Sequence, residues 1–301
     1  LRRPALTGCL ALLGALAAAC SSDPEPAPRP NVVLIVVDTL RADHVGAFGS
    51  DMGLTPNLDA LASDALVFRN TVATSSWTRP SVASMFTGQY PTSLDVLTKQ
   101  DMLSPDVETL AERLAAAGLR CLAVSTNGNA GRSFGFDQGF EQFISRLPKV
   151  GYPDDFPVVQ ADQVTGKALE LVDGLSPDEP FFLFLHYIDP HDPYLEHPGL
   201  LDTPEPPGRY DGSRRDLDEL DHLPLAERTD ADIARVRWLY QGEVRYCDVW
   251  LGKLFDGLRE AGVLDETIVV ITADHGEEFR EHGDFEHDQL YTEHLHVPLV
   301  Q

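Results

Sequence analysis

The sequence predicts an α/β layer fold with a mainly parallel central sheet, and two observations carry that reading. Four runs of apolar and β-branched residues, "NVVLIVV" (31–37), "LRCLAV" (119–124), "FFLFLHY" (181–187) and "TIVVIT" (267–272), have the length and composition of strands buried on both faces. Helical patterns lie between them, the alternation that builds parallel sheets. With 301 residues, 43% of them hydrophobic and 24% charged, the chain has enough apolar side chain for one large core.

Each element has a local reason. After the first strand, "PNLDALASDA" (56–65) has helical spacing, and "PSVASMFTG" (80–88) reads as a helix with proline in its first turn. "DVETLAERLAAAG" (106–118) opens with acids, which suit the positive end of a helix, and closes on glycine. "ADQVTGKALELVDG" (161–174) and the long pattern from Asp230 to Gly262 also stop at glycine. Segment 189–229, rich in Pro, Asp and Gly, shows no period and reads as a surface excursion near the mouth of a site.

The first thirty residues, "LRRPALTGCLALLGALAAACSSDPEPAPRP", read as a lipoprotein signal peptide over 1–19 and a Ser/Pro-rich tether over 20–30, with the folded domain in 31–301. A lipid anchor on Cys20 would hold the chain at a bacterial membrane on its extracytoplasmic side. Cys121 and Cys247 are left as a disulfide or as two buried thiols. The net charge of -25, with acids spread along the chain, argues against non-specific nucleic-acid binding. An anionic ligand would need local positive charge.

Open α/β sheets bind ligands beyond the carboxyl ends of their strands. Here the first strand runs into Asp38, the third into His186, Asp189 and His191, and the fourth into Asp274, His275 and Glu277, while Thr78 directly precedes a helix. An acid ending a strand is ordinarily a helix cap, but several segments converging on one edge point to a site. Asp38, Thr78, Asp274 and His275 can surround one divalent ion and leave a position for a substrate oxygen. That ion would lower the pKa of the Thr78 hydroxyl and make it a nucleophile. The helix amides after Thr78 favour a tetrahedral anionic ester. His191 and His287 are the expected catalytic imidazoles, Arg41 and His186 the expected substrate ligands, and His282 a further cation. Asp189, His191 and His287 could alternatively supply a second metal site.

The blocks "NVVLIVVDTLRADHVGAFG", "TPNLDALASDALVFRNTVA", "WTRPSVASMFTGQYP", "HYIDPHDPY", "TADHGEEFREHG" and "LYTEHLHVPLV" resemble, in order, those of the sulfatase family of the alkaline phosphatase superfamily. The resemblance covers about residues 31–301. It implies a three-layer sandwich around a mostly parallel sheet, a divalent metal (Mn, Zn, Mg or Ca) and attack on an anionic sulfate or phosphate ester. It also implies a smaller C-terminal subdomain beyond "VPLV", so that the sequence reads as truncated there.

Three motifs depart from the sulfatase pattern, at four positions. The second aspartate after the first strand is Thr39, the Cys/Ser-x-Pro-Ser-Arg signature is "TRPSV" with Thr78 and Val82, and the Asp-Asn metal pair is Asp274-His275. This set is similar to that of single-metal, threonine-dependent phosphotransferases of the superfamily. The expected function is a metal-dependent hydrolase or transferase with a Thr nucleophile, phosphoester chemistry favoured. The alternatives are a sulfatase without formylglycine, a two-metal phosphatase or nucleotide pyrophosphatase, and a non-catalytic binding lipoprotein.

Overall fold

A computed structural model describes residues 29–151, 157–176, 179–224, 227–287 and 289–301. The leader and Cys20 lie outside the described residues. Five parallel strands, β1 (Asn31–Val37), β2 (Arg120–Ser125), β3 (Gln142–Ile144), β4 (Phe181–Tyr187) and β5 (Thr267–Thr272), form the sheet. A short hairpin, β6 (Glu278–Phe279) and β7 (Phe285–Glu286), stands apart. A last strand, β8 (Leu299–Val300), runs antiparallel to β5 and completes the order β3-β2-β4-β1-β5-β8.

The strand period of two divides the core into two layers. Val33, Ile35 and Val37 of β1 and Leu183, Leu185 and Tyr187 of β4 face one cluster, while Leu34, Val36, Phe182 and Phe184 face the other. The helices over these faces are α1 (Pro56–Ala62), α2 (Thr78–Thr87), α3 (Leu110–Ala116), α4 (Ala161–Asp173), α5 (Arg214–His222) and α6 (Asp230–Glu260). α1, α4 and α6 cover the first face, α2 and α3 the second, giving the expected three layers. Phe86 of α2 meets Phe184 edge to face with ring centroids 4.8 Å apart, pinning α2 to the sheet.

Two expectations change. The helix read over 106–118 begins only after Thr109, because Thr109 and Glu112 form a reciprocal capping box there. The excursion 189–229 is less irregular than its composition suggests, since it contains α5 and anchors itself through buried Tyr194 and Tyr210. Cys121 and Cys247 are both buried free thiols, so the disulfide alternative is not realised.

Candidate metal centre and nucleophile

The first carboxylate is delivered by a bent backbone. The Asp38 N–H still donates to the Tyr187 carbonyl at 2.9 Å, extending the ladder past β1. The next residue, Thr39, then takes a φ of 56°. A β-branched residue is strained there, and Tyr240 of α6 holds the turn by donating to the Thr39 carbonyl (2.8 Å) and accepting from the Arg41 N–H (3.1 Å). At the end of β5, the Ser81 hydroxyl donates to the Asp274 carbonyl at 2.6 Å, which ties α2 to that edge.

The sheet edge gathers Asp38, His186, Asp274 and His275, each 0% exposed. His186 Nε2 lies 3.4 Å from Asp38 Oδ2 and 3.8 Å from Asp274 Oδ2. His275 Nε2 lies 3.5 Å from a carboxylate oxygen of each aspartate. Two buried carboxylates this close resist ionising together. Burial and the charge of Asp38 raise the Asp274 pKa. Burial acts the same way on Asp38, yet the His186 imidazole at 3.4 Å and the charges of His191, His186 and His275 outweigh it and hold that carboxyl well below the usual range.

Asp38 Oδ1, Asp274 Oδ2 and His186 Nε2 are buried without a hydrogen-bond partner. Asp38, His186 and Asp274 each offer a ligand atom, all within 4.8 Å of one another. A divalent cation satisfies such orphaned atoms together, and two carboxylates with imidazole are a donor set it accepts. His275 fits the same role: its Nδ1 lies 2.9 Å from the Gly276 carbonyl, which fixes the proton on Nδ1 and leaves the Nε2 lone pair facing the cluster. His186, expected to bind substrate, lies within this group of atoms that could hold an ion. Its side chain is enclosed and has no surface toward a substrate.

Thr78 is the first residue of α2, and its Oγ1 lies 3.5 Å from His275 Nε2. The amide of Asn127 donates to Thr78 Oγ1 at 3.2 Å and to Asp38 Oδ2 at 2.5 Å, linking the hydroxyl to the carboxylate cluster. Asn127 went unread in the sequence although it stands two residues beyond the end of β2, where the rule applied to the other strands places a site residue. Val82, one turn along α2 where a sulfatase carries arginine, is fully buried in the apolar layer.

His191 and His287 stand around this group. The His287 ring lies 4.4 Å from the His275 ring and 5.2 Å from the His191 ring. Each is oriented by a buried acid: His191 Nδ1 lies 2.8 Å from Asp192, and His287 Nδ1 3.2 Å from Glu277. Burial alone would lower the His191 pKa, but the Asp192 carboxylate raises it well above the ordinary value. Burial lifts Glu277 to about 7.

Other expected residues lie elsewhere. The Arg41 guanidinium contacts Asp43 (2.7 Å), Glu281 (2.9 Å) and the Glu277 carbonyl (3.0 Å), so it braces the loop after β5. His282 stacks on Tyr291 at 3.5 Å and pairs with Glu293, apart from the cluster. Asp189 does not join His191 and His287 as a second metal site; it turns to Glu243, whose charge together with burial raises its pKa.

The chain is similar to known proteins. The profile of the family described as Sulfatase matches residues 30–301. N-acetylglucosamine-6-O-sulfatase of Bacteroides thetaiotaomicron is 23% identical, with 96% of this chain and 66% of the relative aligned. Human iduronate 2-sulfatase is 26% identical over 90% of this chain and 59% of its own. The chain therefore spans 66% and 59% of the length of these two curated relatives. The crystal structure of the phosphonate monoester hydrolase of Agrobacterium radiobacter shares the fold, with a TM-score of 0.73 at 20% identity over 90% of this chain and 68% of that one. With the profile matched from the start of β1 through β8, the chain belongs to the sulfatase family of the alkaline phosphatase superfamily.

Proposed function

We propose that this chain is a metal-dependent hydrolase or transferase that cleaves sulfate- or phosphate-type esters through Thr78, with phosphoester chemistry favoured. The observation that supports it most is the Thr78 hydroxyl, buried at the first turn of α2 and joined by Asn127 to an enclosed Asp38–His186–Asp274–His275 cluster with orphaned ligand atoms. Asp38, His186, Asp274 and His275 would hold a divalent ion, with Mn²⁺, Zn²⁺ or Mg²⁺ suiting the nitrogen-containing set better than Ca²⁺. When bound, such an ion favours the Thr78 alkoxide and offsets charge on the ester oxygens.

Thr78 gives up its proton to solvent, and its Oγ1 forms a bond to phosphorus while the ester oxygen departs in line. The departing oxygen takes a proton from His191, which Asp192 keeps cationic. Water or an alcohol then attacks the phosphothreonine, returns its proton to His191 and frees Thr78. A sulfated threonine lacks the aldehyde-forming exit that a formylglycine hydrate has, and this favours phosphorus over sulfur. The neighbours named as sulfatases and as a phosphonate monoester hydrolase support the wider ester class. The leader ahead of Cys20 supports a lipid-anchored, extracytoplasmic location for this chemistry.

The test is a turnover screen of paired aryl sulfate, phosphate monoester, phosphodiester and phosphonate substrates with Mn²⁺, Zn²⁺, Mg²⁺ and Ca²⁺. Turnover of a phosphorus ester that chelation abolishes supports the reading. Turnover of the sulfate alone moves the function to sulfuric ester hydrolysis, and no turnover with any ion leaves the non-catalytic alternative.

A further inference from the structure

The cavity over Thr78 has a volume of about 1070 Å³, just above the range of about 300–1,000 Å³ typical of sites for organic ligands. Thr78, Asn127, His191 and His287 line it together with Lys99, Arg146 and Lys149. Among the described residues the lining carries four formal cations against two carboxylates. Both carboxylates, Asp192 and Glu286, are occupied by the fourth cation, Arg214, at 2.8 and 3.2 Å. This positive wall belongs to a chain whose net charge is -25. Such a local reversal of sign is a feature of anion recognition and has no use in a site for a neutral organic group.

The Lys99 part of this lining is also fixed relative to Thr78. Arg79, the residue after Thr78, is buried with its guanidinium 3.3 Å from the Phe134 ring centroid. It donates to the carbonyls of Lys99 (2.6 Å) and Asp101 (3.0 Å) and to Asn129 Oδ1 (3.1 Å). The Asp101 carboxylate accepts the N–H groups of Leu97 and Thr98 at 2.8 and 2.6 Å, closing the loop on itself. The Lys99 backbone is thereby clamped to the first turn of α2, while its side chain stays exposed in the cavity wall. Preorganisation of this kind lowers the entropy lost when a ligand is held.

We infer that the cavity takes a substrate with two anionic groups, the ester cleaved at Thr78 and a second, remote carboxylate, sulfate or phosphate held by Lys99 and Arg146. The inference rests on the hydrolase reading above and adds a substrate class to it. An ester with a neutral organic part fills the Thr78 end alone and leaves the cationic wall unused. Charge-assisted hydrogen bonds to a second anion are the stronger kind, and they weaken as salt rises because this wall is open to solvent.

The experiment uses phosphate and sulfate esters of 4-hydroxyphenyl acetic, propionic and butyric acids beside the matching carboxamides. The methylene spacers keep the leaving groups alike, so the acid-to-amide ratio of kcat/KM reads the remote charge alone. We expect a ratio of about 10 or more at one chain length, falling as salt is raised and collapsing toward one in the Lys99→Ala/Arg146→Ala double variant. A ratio near or below one in a wild-type enzyme that turns over both esters overturns the inference and leaves the hydrolase reading standing. A high ratio that survives in the double variant overturns the assignment to Lys99 and Arg146. If no ester is turned over, the hydrolase reading fails by itself, and calorimetric binding of the free phenol acids against their amides still reads the subsite. Equal binding of acid and amide then overturns it.

Discussion

The side-chain amide of Asn127 lies 3.2 Å from the Thr78 hydroxyl, joining residues that are 49 positions apart and come from different secondary-structure elements. The same amide reaches Asp38, so one donor group sets the spacing between the Thr78 hydroxyl and the carboxylate cluster. Asn127→Ala should lower kcat/KM by about 10²–10³, as removal of a preorganised donor does in other active sites, with an unchanged melting temperature. Rates close to wild type would make Asn127 a bystander to the chemistry.

Thr78→Ala should abolish turnover, by about 10³ or more, while metal content and product binding persist, because it deletes a covalent step. Thr78→Ser keeps the hydroxyl and should retain measurable activity. Intact-protein mass spectrometry with a slow phosphoester should show a phosphoryl adduct that maps to Thr78. Unimpaired turnover by Thr78→Ala would transfer the attack to water.

The burial of His186 between two carboxylates makes it a ligand candidate, and the two roles predict different kinetics. His186→Ala should bind metal at least about 100-fold more weakly and regain activity as metal is added in excess. A variant with normal metal content and a raised KM at saturating metal would return His186 to substrate binding.

Away from the site, Asp248 of α6 caps α1 from a distance of 190 residues. α1 has no side-chain cap of its own; instead Asp248 accepts the N–H groups of Asn57 (3.1 Å) and Leu58 (2.9 Å). Asp248→Ala leaves those donors unsatisfied next to the core and should cost about 2–3 kcal/mol in a chemical denaturation curve. A loss under about 0.5 kcal/mol would show that water replaces the carboxylate.

The sequence by itself determined the layers and most of the edge. All four strands read from composition are present; β1, β2 and β4 are buried along nearly their whole length, as a strand covered on both faces must be, whereas β5 leaves Ile268 39% exposed. Parity carries further than was used. Val36, Phe184 and Ala123 share the face covered by α2, and Asp38, His186, Ser125 and Asn127 follow at steps of two. That alternation was legible in the sequence and would have moved His186 into the cluster and found Asn127.

Only the tertiary structure decided which polar side chains meet. Arg41 and His191 each lie within a few residues of a strand end, yet one is bound by Asp43 and Glu281 and the other lines the cavity. Asp189 and His191 are two residues apart and turn to different partners, Glu243 and Asp192. Asp43 and Asp192 are sequence neighbours of the residues they hold, but Glu281 lies 240 residues from Arg41, and Glu243 too is far along the chain from Asp189, so ion pairing and burial settle such choices only once the layers have packed. Local periodicity names the residues that reach the edge of a sheet. Long-range packing alone assigns each of them to a ligand cluster, a brace or a cavity wall.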